Sequence, residues 1–255
     1  MAAIPQTDVD LLLELLEGAT DRLVATLATV GEEEAAGPSA LPGWTRAHLL
    51  THLARNAEDH RRMAEAAAAG EVAEQYPGGD DQREAEIEEG PAKPAAVLVE
   101  EVTRSAAELR AAWDAMPEDA WERPIAMLDA TMPARVGPRS RLTECELHHV
   151  DLRLGYRPAD WPAEVAAVLL PRVADELVDR GGRLDPPMPT VVVRPTDAEG
   201  EWAIGTGEGG ATVTGPAAAL VAWLAGRGWA LDDGDLVVDG DRAVVDALPE
   251  RLPYG

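Results

Sequence analysis

Five histidines occur in the chain, His48, His52, His60, His148 and His149, and none lies after residue 149. Imidazole is the commonest side-chain metal ligand and an acid or base near neutral pH, so its placement bears directly on chemistry. Two pairs stand four residues apart, His48 with His52 and Glu144 with His148. On a helix that spacing sets Cβ atoms about 5–6 Å apart on one face, within reach of one metal ion. The simplest combination takes His52 from one helix with Glu144 and His148 from another, giving two imidazoles and a carboxylate. Three protein ligands of that kind leave a coordination position open, which is the pattern of catalytic zinc, whereas structural zinc is closed by a fourth.

Residues 141, 144, 148 and 151 fall on one helical stripe, so Arg141, Glu144, His148 and Asp151 point one way. Such a set turned inward requires partners. Arg135, Arg139 and Arg141 also make this region locally basic, suited to a carboxylate substrate, while Arg153 and Arg157 complement a helix C-terminus. His149 points about 100° away from His148, and His60 lies two turns beyond His52; both read as exposed or hydrogen-bonded histidines. His48 reads as a core hydrogen-bonding residue, with a substitute ligand as the alternative. Cys145, the only cysteine, reads as a small core residue. There is no G-x-S-x-G, no Walker loop and no G-x-G-x-x-G after a strand; GTGEGG (205–210) reads as a hairpin turn.

Helices must carry these residues. Leucines at helical spacing from Asp8 to about Val30 predict an amphipathic helix capped by Thr7 or Asp8. Thr45 can cap a second helix, to about Ala69, bearing three of the histidines. Residues 71–90 hold eight acids and one base, Arg83, broken by Pro77, Gly78 and Gly79, and read as a solvated connection. Pro94 opens a third helix to about Met116, an irregular stretch follows to Pro138, and a fourth helix runs from near Ser140 to Gly155. Four helices of this kind form a bundle whose sites are built from inward-facing side chains. After Tyr156 the texture changes to α+β. A helical stretch over 160–180 holds Pro171, which should kink or divide it. Short strands are expected at 190–194, 201–204, 211–214 and 236–238, with helices at 216–225 and 242–248. The expected division is residues 1–157 as the bundle and 158–255 as a smaller α+β domain.

The 255 residues carry 22 Lys and Arg against 47 Asp and Glu, a net charge of −25 that repels phosphate backbones and anionic membranes. Nucleic acid and membrane are therefore not expected partners. No run of about 18 apolar residues occurs, the N-terminus has no signal-like pattern, and one cysteine cannot form an internal disulfide. The chain reads as cytoplasmic, as a monomer or small homo-oligomer.

LPGWTRAHLLTHLARNAEDH (41–60), ECELHHVDL (144–152) and GYRPADWP (155–162) resemble the mycothiol-dependent maleylpyruvate isomerase family of DinB-like metalloenzymes, and AGRG (225–228) extends the likeness to the C-terminal half. The resemblance implies a DinB-like bundle holding a divalent metal, usually zinc, through residues that fall on His52, Glu144 and His148. It also implies a functional arginine within a G-R-G, matched by Arg227. Mycothiol, a small-molecule thiol, would occupy the open position as a thiolate and add to the double bond of an electrophilic maleyl-type keto acid. Arg227 with Arg141 would neutralise the substrate carboxylate or developing enolate. Mycothiol S-transferases share the scaffold and form a stable adduct instead, and a non-catalytic metal-containing binding module is the reading from another class.

Overall fold

The computed structural model describes residues 8–127, 130–231 and 234–254; Thr7, one of the two expected caps, lies outside them. The described chain forms two compact units, one ending at Tyr156 and the other beginning at Arg157.

In the first unit, α1 (Val9–Leu27) starts where Asp8 accepts from the Leu11 amide at 3.2 Å. A cap of that type contributes about 1 kcal/mol. A short α2 (Glu32–Ala36) follows. The longest element, α3 (Arg46–Ala69), is followed by α4 (Gly79–Glu89), α5 (Ala95–Asp114) and α6 (Gly137–Asp151). Between α5 and α6 stands an antiparallel hairpin, β1 (Pro124–Met127) with β2 (Ala130–Pro133). The chain contains no Phe, so leucine and alanine supply the core. Leu23 and Leu27 of α1 meet Leu49, Leu50 and Leu53 of α3 and Leu98 and Val102 of α5, all essentially without exposure. Each fully buried leucine contributes roughly 1.5–3 kcal/mol.

α6 divides its polar residues between two neighbours. Glu146, buried, pairs with Arg22 of α1 at 2.7 Å and accepts from the Tyr156 hydroxyl at 2.7 Å. His149 meets Thr26 of α1 at 2.8 Å and stacks on the Tyr156 ring at 3.7 Å. Glu144 and His148 instead face α3.

The acidic stretch expected as a solvated connection is corrected by α4. Its one buried side chain is Ile87, and Gly90, just past its end, sits where a Cβ would overlap the Thr51 hydroxyl of α3. That close approach docks a helix whose own composition provides almost no apolar face.

In the second unit, α7 (Ala163–Gly181) runs as one helix through Pro171 and is not divided there. Its buried stripe, including Leu169, Val173 and Leu177, stabilises more than one missing backbone hydrogen bond costs. A four-stranded sheet has the order β4–β3–β5–β6, from β3 (Pro189–Pro195), β4 (Trp202–Ile204), β5 (Gly207–Gly215) and β6 (Val237–Gly240). β3 is antiparallel to β4 and parallel to β5, with Val191 opposite Ala211 and Val193 opposite Val213. GTGEGG is therefore not a hairpin turn, because β4 and β5 lie on opposite sides of β3. Gly210, at φ 130°, packs where a Cβ would overlap the Thr190 carbonyl. α8 (Ala217–Leu224), whose first amide is capped by Asp197 at 2.8 Å, and α9 (Arg242–Arg251) complete the unit. No helix among the described residues is long and apolar enough to cross a membrane.

Candidate metal centre

His52 projects from α3, and Glu144 and His148 project from successive turns of α6, so one ligand atom from each lies within 4.8 Å of the others. His52 Nε2 stands 2.9 Å and His148 Nε2 3.3 Å from the same oxygen, Glu144 Oε2. The two imidazole rings meet edge to face, with centroids 4.8 Å apart.

The fourth member of the stripe has its own task. Asp151, wholly buried, accepts from His148 Nδ1 at 2.9 Å. An ionised carboxylate only accepts, so Asp151 holds a proton on His148 Nδ1 and leaves Nε2, which faces Glu144, as the nitrogen that gives up its proton on ligation. The Trp44 indole is tilted against the His52 ring with centroids 5.7 Å apart.

Electrostatics agrees with geometry. Burial pushes the His52 imidazole down, favouring the neutral form that ligates. Burial alone would raise Glu144, but hydrogen bonds from His148 and His52 outweigh it and hold the carboxyl well below its usual range. At His148 burial pulls down, while the hydrogen bonds to Asp151 and Glu144 win and raise it. Two imidazole nitrogens and an ionised carboxylate oxygen at these distances fit a divalent cation, and ligation at His148 displaces a proton.

The other histidines sort differently. His48 accepts from the Thr45 amide at 3.0 Å through Nδ1 and so serves the start of α3. His60 is buried against Trp113, with Nε2 unpartnered, so it is neither exposed nor satisfied as the sequence suggests. Burial is the main cause of its depression to about 3. Cys145 is buried and its thiol is pushed up by burial, as suits a core residue.

Arg141 is 1 % exposed and donates to Asn56 Oδ1 at 2.7 Å, in the layer one turn along α3 from His52. Arg227 lies in the second unit and donates to the Ala225 carbonyl. A residue that spacing did not single out stands at the cluster instead: Arg83 of α4 places Nη2 3.4 Å from His52 Nδ1, with its guanidinium 5.5 Å from the Tyr76 ring centre. Its signal in the sequence was that it is the one base among eight acids in 71–90.

Residues 16–153 match the Mycothiol maleylpyruvate isomerase N-terminal domain, and residues 160–247 match the MDMPI C-terminal domain. No curated protein matches the chain. Among solved structures it is similar to that of the mycothiol-dependent maleylpyruvate isomerase, at 25 % identity over 93 % of this chain and 95 % of that one, with a TM-score of 0.82. A histidine-to-alanine mutant of that isomerase matches with the same values. The bundle, the α+β unit and the domain matches in both agree that this chain belongs to the mycothiol maleylpyruvate isomerase family.

Proposed function

We propose that this protein catalyses the mycothiol-dependent cis–trans isomerisation of a maleyl-type keto acid with zinc held by His52, Glu144 and His148. The observation that carries the proposal is the convergence of those three ligands within 4.8 Å, with His148 Nδ1 committed to Asp151. The likeness to a mycothiol-dependent maleylpyruvate isomerase supports the choice of thiol and substrate. Residues 1–157 are taken as the metal-binding domain and 158–255 as its companion.

Zinc in this ligand set supplies the Lewis acidity that holds a thiol as thiolate at neutral pH. In such an isomerisation the alkene passes through a thiol adduct whose single bond rotates before elimination restores a trans double bond. Thiol and oxidation state are unchanged overall. Glu144, held ionised, brings one negative charge, so a divalent cation in this ligand set would retain positive charge. Asp151 holds the His148 ring in place through the cycle. With Nε2 given to a metal, His52 would carry its proton on Nδ1 and no longer accept from Arg83, so that guanidinium, which lies against Tyr76, would be able to hold a substrate carboxylate. Arg227 keeps the carboxylate or enolate role that the family resemblance implies. Arg141, sealed against Asn56, is assigned no contact with the reacting atoms. A reaction that needs a free thiol belongs in a reducing compartment, and the cytoplasm is the proposed location.

The test is incubation of the zinc-loaded full chain with mycothiol and maleylpyruvate, followed by separation of products. A fumaryl-type product with mycothiol recovered unchanged is expected. A stable thiol adduct would overturn isomerisation in favour of S-transfer, and no turnover by either route at any metal loading would overturn the thiol-enzyme reading.

A further inference from the structure

The interior of the bundle holds a charged group that the metal centre does not use. Arg141 is essentially unexposed, Asn56 satisfies only its Nη1, and Nη2 has no partner. Among the described residues no carboxylate forms an ion pair with it. An ionised group taken out of water costs several kcal/mol unless a counter-charge or a full set of hydrogen bonds offsets it. A neutral amide oxygen opposite one of five N–H donors does neither.

A cavity of about 320 Å³ between α1 and α5 reaches this residue. Leu16 and Val24 from α1 and Leu109 and Trp113 from α5 form its apolar walls, and none of His52, Glu144 and His148 lines it. At the rim Arg110 pairs with Glu17 at 2.8 Å and with Asp114 at 2.8 Å, so those charges are already matched, while Asp21 is exposed to solvent. The volume lies at the small end of ligand pockets, and the lining follows their usual plan of apolar walls around few polar groups.

We propose that this cavity is a second ligand site, separate from the metal centre, for a small monocarboxylate with an apolar body. The carboxylate lies toward the Arg141 guanidinium and supplies the missing counter-charge, and the body replaces water against Leu16, Val24, Leu109 and Trp113. A cation of the same shape is excluded, because nothing at the floor would compensate it.

The probe is octanoate, titrated by calorimetry into the full-length protein as isolated, with octylamine as the cationic control. Saturable binding of one octanoate per chain is expected, with no binding of octylamine. Arg141→Met is expected to weaken octanoate at least tenfold. Because that variant removes a buried group and can fail to fold, Ala106→Trp supplies an independent arm. Ala106 lines the cavity from α5, so an indole there fills it while leaving Arg141 intact. Circular dichroism and thermal unfolding establish that each variant is folded. Loss of octanoate binding in Ala106→Trp supports the site. Absence of saturable binding to the parent protein overturns it, as does binding that Ala106→Trp leaves unchanged, the result expected if octanoate sits on the metal instead.

Discussion

Asp151 shows how much of the centre depends on a side chain that is not itself a ligand. Its carboxylate, 2.9 Å from His148 Nδ1, fixes which nitrogen of that ring carries the proton. Asp151→Asn keeps the shape but can present an N–H where an acceptor is needed, so metal affinity is expected to fall about 10–100-fold, measured by competition with a chromogenic chelator. Arg83→Ala tests the neighbouring charge. Metal content is expected to stay at the parental level while KM for the carboxylate substrate rises about tenfold, and Arg83→Lys should recover part of the loss. Loss of metal from Arg83→Ala would make the residue a prop for His52. The stripe Glu144–His148–Asp151 was legible because all three lie on one helix with fixed spacing. Arg83 was not, since its approach to His52 depends on the turn over 70–78 returning α4 to α3, a non-local event that leaves no periodic trace.

The second long helix carries a polar ladder, His48, His52, Asn56 and His60, at four-residue intervals. Each rung has a different fate: a cap at Thr45, a candidate ligand paired with Glu144, an acceptor for Arg141, and a histidine packed beside Trp113. The last rung makes the bundle acid-sensitive. His60 titrates near 3 when folded and near 6.5 in an unfolded chain. Below pH 6.5 the unfolded state takes up a proton that the folded state refuses, so stability is present in full above about 6.5 and is lost as the pH falls toward 3. The loss is on the order of 5 kcal/mol over that window. His60→Leu removes the group, and its acid-unfolding midpoint, followed by circular dichroism, is expected to move to lower pH than the parent's; an unchanged midpoint would remove His60 from the acid response. Leucine periodicity showed the bundle helices plainly. It could not show α4, because a helix with Ile87 as its one buried residue is held by docking and has no hydrophobic stripe to read.

Across the whole molecule, the helical unit and the α+β unit were legible as a change of texture near residue 156, but the order of the strands was not. Alternation reports which face of a strand is buried and says nothing about which strand lies beside it, so β3 standing between β4 and β5 emerges only from non-local pairing. In the proposed function the one residue drawn from the second unit is Arg227. Arg227→Ala is expected to lower turnover by tenfold or more with zinc content unchanged, and full activity would remove Arg227 from the mechanism. The expectations for Asp151, Arg83 and Arg227 stand on one claim, that His52, Glu144 and His148 hold a metal with an open position. Elemental analysis of the purified protein beside His52→Ala and Glu144→Ala, followed by titration with mycothiol, tests that claim most directly. The account predicts about one zinc per chain, lost in both variants, with the parent protein taking up the thiol. No metal in the parent after reconstitution, or metal retained in both variants, would contradict it.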